Sequence, residues 1–162
     1  MKKRVTIILL LAILASLCSV QAYAMGQKTL EVTLTGYSLL YQMCMEALGQ
    51  ETSIKREWID ENTAMLQLTD TCICHLTTES QSDFANITEV LHTAAPESSS
   101  DMLSARCSMV STILAFDPDL DADTVTNMVM NILPEKGEYT SDYCQYKYVQ
   151  SYNIYMLYIS PK

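Results

Sequence analysis

Hydrophobic side chains recur at three- and four-residue spacing in four segments of the chain, and this spacing predicts four amphipathic helices. The segments are residues 38–48, 83–94, 100–115 and 122–133. Ser38 is the expected N-cap of the first helix, and Gly49 is expected to end it. Pro134 is expected to end the last helix, because a proline has no backbone N–H to donate.

Alternation of apolar and polar side chains predicts strands in much of the remaining chain. Strands are expected at residues 30–35, 142–149 and 153–159, the last two joined by a turn near residues 150–152. Between Ala64 and Leu76 apolar residues also occupy alternate positions, which favours two strands hinged at Thr69–Thr71. A helix is the alternative for this segment, because a helical stripe of apolar residues also runs through it.

These elements together predict an α+β fold. In it, a small antiparallel β-sheet packs against about four helices. The sheet is made of the C-terminal tyrosine-rich hairpin plus a central strand or strands. The chain shows no internal repeat and no long linker, so residues 25–162 are expected to form a single domain.

Residues 1–24 have the pattern of a cleaved signal peptide. A basic start over residues 2–4 precedes an apolar run over residues 5–20, and alanines stand at positions 22 and 24. The run is shorter than the ~20 residues that a membrane span needs, so we expect no stable membrane anchor after cleavage. The lysine-rich start is typical of bacteria, which places the mature domain in the periplasm or outside the cell.

Acidic residues outnumber basic residues, 19 to ten. Three of the basic residues and none of the acidic residues lie in residues 1–24, which leaves residues 25–162 with a net charge of −12. A chain this acidic repels nucleic acids and anionic membranes, so neither is an expected partner. We favour the interpretation that this charge only keeps the domain soluble, and the attraction of a basic partner is the alternative.

Five cysteines remain after cleavage, and an oxidising compartment makes them disulfide candidates. They are Cys44, Cys72, Cys74, Cys107 and Cys144. Cys72 and Cys74 share one face of the predicted strand, ~7 Å apart at Cα, which is longer than the about 5.5–6 Å of a disulfide. Cys144 is therefore the expected partner of one of them, and Cys44 and Cys107 are expected to meet in the core. The odd number leaves one thiol free, and the pairing stays open.

The same cysteines suggest an alternative function, the binding of a soft metal (copper or zinc) through Cys72 and Cys74. A structural zinc site usually joins two compact ligand pairs, and here only one is present. His75 is expected to point to the opposite face of the strand from both cysteines. Met43 and Cys44 add soft ligands for copper, but they belong to the apolar stripe of the first helix. We therefore expect no bound metal and no cofactor.

No catalytic constellation stands out, and we expect no enzymatic activity. The chain has two histidines, and no G-x-S-x-G motif precedes a helix. The aspartates of residues 117–123 lack the glycine and glutamate of an EF-hand loop, and they suit a turn followed by a helix N-terminus. An enzyme that uses the carboxylates beside Trp58 is the remaining alternative.

Seven of the ten tyrosines lie between residues 139 and 158. Tyrosine is enriched at recognition surfaces because it offers an apolar ring with a polar tip. Tyr143, Tyr146, Tyr148 and Tyr155 are the candidate binding residues, with Tyr146 and Tyr148 facing outward. The simpler alternative is that tyrosine is a good strand former that covers the sheet. We hypothesise a non-enzymatic domain that binds another protein, as inhibitors and immunity proteins do.

Overall fold

The computed structural model describes residues 28–162, and the predicted signal peptide over residues 1–24 lies outside this part of the chain. Residues 28–162 form one seven-stranded antiparallel sheet and three helices, which confirms the α+β class. The prediction of about four helices is wrong, because one of the four segments is a strand.

Helices and strands are numbered in chain order. The helices are α1 (Leu34–Ala47), α2 (Ser99–Phe116) and α3 (residues 122–136), and the strands are β1 (Lys55–Trp58), β2 (Thr63–Thr69), β3 (Cys72–Thr78), β4 (Ile87–Ala94), β5 (Glu138–Thr140), β6 (Cys144–Ser151) and β7 (Ile154–Pro161). Their order across the sheet is β1-β2-β3-β4-β7-β6-β5, and every neighbouring pair is antiparallel.

The centre of the sheet joins two distant parts of the sequence. Strands β1 to β4 follow one another as a meander, after which the chain passes through α2 and α3 and returns as β5 at the opposite edge. Strands β6 and β7 then bring it back to β4, where Val90 pairs with Ile159 and Ala94 pairs with Tyr155. Because β4 and β7 are far apart in the sequence, the seven strands join into one sheet only when long-range contacts form.

Strand β4 replaces the helix predicted over residues 83–94. The expected helical stripe begins at Phe84, but this side chain is 79% exposed and lies outside the core. Thr88, Val90 and His92 are buried, and the residues between them are more exposed. The segment is rich in β-branched residues, which favour strands. A period of two residues therefore describes this segment better than a helical period.

The start of the described chain also differs from the prediction. The strand expected over residues 30–35 is only an isolated bridge at Thr33, and α1 begins at Leu34. Thr33 caps the helix, because its Oγ1 accepts a 3.1 Å hydrogen bond from the Gly36 N–H. Ser38, the expected cap, lies inside the helix, where its hydroxyl donates to the Leu34 carbonyl. Threonine is common both in strands and at helix N-caps, so the local sequence does not distinguish a strand from the start of a helix here.

Two hairpins agree with the prediction. Strands β2 and β3 cover nearly all of residues 64–76, which confirms the strand interpretation of this segment over the helical one. Strands β6 and β7 confirm the tyrosine-rich hairpin, with Ser151 paired to Ile154 on either side of a two-residue turn. Tyr152, the first residue of that turn, has a φ of 55°, in the left-handed region that favours glycine.

Helix α3 is one helical segment with a wider turn at its centre. Its parts are an α-helical start (Ala122–Asn127), a π-helical turn (Met128–Ile132) and an α-helical end (Leu133–Lys136). In the π-helical turn the Leu133 N–H donates to the Met128 carbonyl. This wider turn accommodates Pro134 inside the segment, so the proline does not end the helix as predicted. Gly137, with a φ of 75°, forms the end instead.

The two faces of the sheet differ in burial. On one face, which we call the covered face, alternate residues of β2 and β3 are fully buried; they are Ala64, Leu66, Leu68, Cys72, Cys74 and Leu76. The residues between them point to the other side, which we call the open face, and they are exposed or half-buried.

Helices α1 and α2 lie against the covered face. Tyr37 of α1 places its hydroxyl 3.6 Å from the Cys74 Sγ of β3 and 3.1 Å from the Thr112 Oγ1 of α2. The Tyr37 ring also stacks on Phe116, with ring centroids 5.1 Å apart. Aromatic side chains of α1 therefore join the sheet to α2 in the core.

Candidate binding surface on the open face

The open face presents two rows of side chains that run across β2, β3, β4, β7 and β6, in that order. The first row is Met65, His75, Leu91, Tyr158 and Lys147. The second row is Gln67, Ile73, Thr93, Met156 and Val149. The antiparallel register sets both rows, so neighbouring side chains stand directly opposite one another on adjacent strands.

Apolar side chains form a continuous patch within these rows. We call this patch the open-face stripe; it consists of Met65, Ile73, Leu91, Val149, Met156 and Tyr158. Ile73 is 38% exposed and Val149 is 53% exposed, and the other members are half-buried. Ile154, at the start of β7, extends the stripe towards the hairpin turn. A contiguous exposed apolar patch on a soluble domain is typical of an interaction site.

Charged side chains border the stripe. Glu57 and Glu138 stand at the two ends of the first row, on the edge strands β1 and β5. Burial, followed by the hydrogen bond and the charge of Glu89, raises the pKa of Tyr158 to about 12. The Tyr158 hydroxyl is therefore neutral at physiological pH, on a strand position that lies between Leu91 and Lys147.

The four candidate tyrosines lie in different environments. Tyr146 is 1% exposed on the covered face, where its hydroxyl donates a 2.9 Å hydrogen bond to Oδ2 of the buried Asp117. Tyr148 also points to the covered face, and its half-buried ring lies 6.5 Å from that of Tyr155 between centroids. The expected outward orientation of Tyr146 and Tyr148 is therefore wrong. Tyr143 is 48% exposed in the bend before β6, apart from the other three.

The position of each tyrosine along its strand explains this outcome. Strand β6 begins with the buried Cys144, so Tyr146 and Tyr148 follow it onto the covered face. The exposed Lys147 between them is the signal that assigns the two tyrosines to the inner side. Tyr158, which the sequence analysis did not select, points to the open face. Strand β7 is apolar on both sides, so alternation alone does not reveal which of its tyrosines faces outward.

The five cysteines of residues 28–162 are free thiols. Cys72 lies on β3 and Cys144 on β6, with β4 and β7 between them, so about three strand spacings, or ~14 Å, separate the two strands. This exceeds the Cα separation of a disulfide, so the expected bridge from Cys144 to Cys72 or Cys74 is wrong. Cys44 and Cys107 are half-buried on α1 and α2, and no disulfide joins them either.

The soft-metal alternative finds no ligand cluster in the part of the chain that the structure describes. Within residues 28–162, no three His, Cys, Asp or Glu side chains are placed to hold a metal ion. Burial raises the pKa of the Cys74 thiol to about 12, which disfavours the thiolate that a metal would bind. His75 points to the open face, away from Cys72 and Cys74, as the strand alternation predicts.

A serine and a histidine meet in the core. Ser108 Oγ lies 2.7 Å from His92 Nε2 and 2.8 Å from the Tyr41 hydroxyl. Burial lowers the pKa of His92 to about 4, so the imidazole is neutral at physiological pH. The distance between Ser108 and His92 resembles that between a catalytic nucleophile and its base. However, Ser108, His92 and Tyr41 are all fully buried. The group therefore links α1, α2 and β4 as part of the core.

The carboxylates beside Trp58 lie at the solvated end of the β1–β2 hairpin. Glu57, Asp60 and Glu61 are all exposed. The Asp60 Oδ1 accepts a 2.8 Å hydrogen bond from the Asn62 N–H, and this contact lowers the pKa of the carboxyl. Such a contact is common in turns, where it stabilises the local backbone. Asp60 therefore stabilises the turn, and Glu57 belongs to strand β1.

No helix within residues 28–162 has the length and hydrophobicity to cross a membrane. Comparisons with protein-family models, with curated proteins and with solved structures find no match to this chain. The surfaces of the domain itself are therefore the basis for assigning it a function.

Proposed function

We propose that this chain is a non-enzymatic domain of the periplasm or the extracellular space that binds a basic protein partner on its open face. The open-face stripe carries this proposal, because it leaves apolar side chains of five strands in contact with solvent. An antiparallel sheet needs only one buried face, and its other face is usually polar. A partner that covers the stripe removes this apolar surface from water.

The size of the stripe suits the centre of a protein interface. It spans five strands, or ~19 Å at the usual strand spacing, and two side-chain rows ~7 Å apart. With the width of the side chains included, the two rows cover roughly 300 Å², and six of their ten side chains are apolar. The stripe is therefore at the lower end of the largest apolar patches of monomeric proteins, which are often functional. A polar rim around such a patch completes an interface of about 800 Å² per partner.

The charge of the domain selects the kind of partner. Residues 28–162 carry seven basic and 19 acidic side chains, a net charge of −12. A second copy of the chain is repelled by its like charge, whereas a basic protein is attracted and steered towards the surface. Glu57, Glu89 and Glu138 lie on the open face around the stripe, where they can pair with lysines and arginines of the partner. Lys55 and Lys147 lie on the same face, so the attraction rests mainly on the net charge of the whole domain.

The sheet edges are poorer binding sites than the open face. Strand β1 has four residues, three of them charged, and β5 has three residues. Short and charged edge strands discourage pairing with an added strand. The partner is therefore expected to contact side chains of the open face and not to extend the sheet.

Two variants that add the same charge at different positions test the proposal. Thr93→Lys introduces a cation between Ile73 and Met156, at the centre of the stripe. Thr126→Lys introduces the same cation at an exposed position of α3. Each mature domain is used as bait in bacterial envelope and culture-medium fractions, and captured proteins are identified by mass spectrometry. We expect wild type and Thr126→Lys to retain a basic protein, and Thr93→Lys to bind it at least about tenfold more weakly.

Circular dichroism and thermal unfolding of the three baits show whether both variants are folded, which is expected for surface substitutions. Binding should weaken as the ionic strength rises, because screening reduces the attraction between opposite charges. Equal capture by Thr93→Lys and wild type would contradict the proposal. So would a captured protein without an excess of basic residues.

Export is tested by the mass of the chain itself. Cleavage after Ala24 should produce a mature protein that begins at Met25 in the periplasm or the medium. Intact-mass measurement of fractionated cells distinguishes this product from the uncleaved chain. Uncleaved protein confined to the cytosol would contradict the proposed location.

A further inference from the structure

A cleft lies between α2, the π-helical turn of α3 and the covered face of β6 and β7. Its volume is about 200 Å³. Its lining includes Met102, Arg106 and Met109 of α2, Met130 of the π-helical turn, and Tyr148 and Tyr155 of the sheet. The cleft is on the opposite side of the sheet from the open-face stripe.

Local structure explains why side chains converge at the cleft. Met102, Arg106 and Met109 are separated by four and three residues, so they share one side of α2. The π-helical turn widens α3 opposite them and places the partly exposed Met130 at the rim. Single π-helical turns occur frequently at functional sites.

The cleft combines apolar walls with one positive group. Methionine is flexible and polarisable, so a wall of three methionines adapts to the shape of a ligand. Arg106 is the only charged side chain in the lining. Within residues 28–162 Arg106 makes no salt bridge, whereas Arg56, the other arginine of this range, pairs with Asp83 at 2.7 Å. The Arg106 guanidinium is therefore available to an anion.

Two tyrosines and a glutamine place neutral polar groups in the same cleft. Burial, followed by the neighbouring Tyr155, raises the pKa of Tyr148, while Arg106 lowers it. The Tyr148 hydroxyl is therefore uncharged at neutral pH and can donate a hydrogen bond to an anion. Gln150 adds an amide group to the lining.

We propose that this cleft binds a small carboxylate with an apolar body, either a free carboxylic acid or the C-terminal apolar residue of a peptide. The two carboxylate oxygens pair with the forked N–H groups of Arg106, and the Tyr148 hydroxyl donates to the same carboxylate. The apolar body lies between Met109 and Met130. A volume of about 200 Å³ equals that of ~7 water molecules at ~30 Å³ each, which limits the ligand to on the order of eight non-hydrogen atoms.

Hexanoate is a probe of this size, and hexanamide is its neutral counterpart with the same number of non-hydrogen atoms. Binding is measured by calorimetry and by NMR of methyl-labelled methionines in the mature domain. We expect hexanoate to shift the signals of Met102, Met109 and Met130 and to saturate, and hexanamide to bind at least about tenfold more weakly. A tetrapeptide that ends in leucine, compared with its C-terminal amide, forms the second arm.

The two arms identify the source of the carboxylate. Binding of hexanoate alone indicates a free acid, and stronger binding of the peptide indicates a chain end; both outcomes support the proposed chemistry. No saturable binding of either probe at millimolar concentration would overturn the proposal. Equal affinity of the carboxylates and their amides would also overturn it.

Variants test the roles of individual residues in the cleft. Arg106→Gln should weaken hexanoate binding at least about tenfold, whereas Arg56→Gln should bind as wild type does. Met130→Trp should block the rim from a partly exposed position, and it provides a second test if Arg106→Gln fails to fold. Equal affinities of Arg106→Gln and Arg56→Gln, or undiminished binding to folded Met130→Trp, would contradict the proposal.

Because the cleft and the stripe lie on opposite faces of the sheet, Arg106→Gln should still capture the open-face partner. The two proposals can therefore be tested, and fail, independently.

Discussion

The covered face and the open face consist of alternate residues of the same strands, yet they distribute polar and apolar groups in opposite ways. The covered face contains buried polar groups that each make a contact within the core, although His92 Nδ1 and Asp117 Oδ1 have no partner among the described residues. His92 lies 2.7 Å from Ser108, and Tyr146 donates to Asp117. The open face instead leaves apolar side chains such as Ile73 and Val149 in contact with solvent.

Folding therefore constrains the side chains of the two faces unequally. A buried polar group needs a hydrogen-bond partner, because the loss of its hydrogen bonds to water raises the free energy of the folded state. An exposed apolar side chain costs the fold little, so folding alone does not account for a row of them. The apolar side chains of the open face therefore support the proposed binding surface, whereas the polar contacts of the covered face contribute to stability.

The largest expected loss of stability from a single substitution comes from truncating a leucine of the covered face, and a leucine of the open face provides the comparison. Leu66 is fully buried on the covered face, and Leu91 is half-buried on the open face. We expect Leu66→Ala to lower the free energy of unfolding by ~3 kcal/mol, because it removes apolar contacts and leaves a cavity. Leu91→Ala should lower it by about 1 kcal/mol or less. Urea unfolding measures both values, and equal losses would show that Leu91 belongs to the core.

The second difference is a dependence of stability on pH that arises on the covered face. Burial lowers the pKa of His92 from 6.5 to about 4 in the folded protein. As the pH falls below 6.5, the unfolded chain binds a proton that the folded chain does not, so the free energy of unfolding decreases until the folded pKa is reached. At about 1.36 kcal/mol per pKa unit, the loss between pH 6.5 and pH 4 is about 3 kcal/mol.

Urea unfolding at a series of pH values checks this prediction, with His75 of the open face as the control. His75→Gln should retain the dependence that wild type shows, and His92→Gln should lose the part that belongs to the buried imidazole. Subtracting the variant from wild type removes the contribution of the carboxylates that titrate in the same range. A larger effect of His75→Gln would assign the dependence to the open face.

The smallest expected difference comes from removing one phenolic hydroxyl on each face. Tyr146→Phe leaves Oδ2 of the buried Asp117 without its 2.9 Å hydrogen bond, and Oδ1 already has no partner among the described residues. We expect a loss of about 1–3 kcal/mol in the free energy of unfolding. Tyr158→Phe on the open face should change it by less than about 0.5 kcal/mol. Thermal unfolding monitors both, and a smaller effect for Tyr146→Phe would place the Asp117 carboxyl in contact with solvent.

Local periodicity predicts those elements whose neighbours along the chain reinforce one pattern. The β2–β3 hairpin was predictable, because its apolar residues alternate along both strands. The extent of α2 was also predictable, but its buried side was not, because Leu103 is 57% exposed whereas Ser108 and Ser111 are buried. Strand β4 was not predicted, because Ile87, Val90 and Leu91 also fit a helical stripe. Its β-branched residues favour a strand, and pairing with β3 and β7 selects it over the helix.

The candidate site shows the same limit. Tyrosine enrichment near the C-terminus was visible in the sequence, but Tyr146 and Tyr158 point to opposite faces. A shift of one residue in the register of a strand reverses the face to which each of its side chains points. Residue type alone does not determine this register. The exposed Lys147 marks the outer side of β6, whereas β7 carries no equivalent polar marker in its centre.

The α+β class, the two hairpins and the acidic character of residues 25–162 follow from side-chain type and spacing within short segments, so they can be predicted from the sequence. The pairing of β4 with β7, the separation of Cys72 from Cys144, the open-face stripe and the cleft appear only in the folded domain. They depend on strand order, and strand order depends on contacts between residues distant in the chain. Alternation along a strand distinguishes two faces of the sheet, and the packing of α1 and α2 decides which of the two is buried.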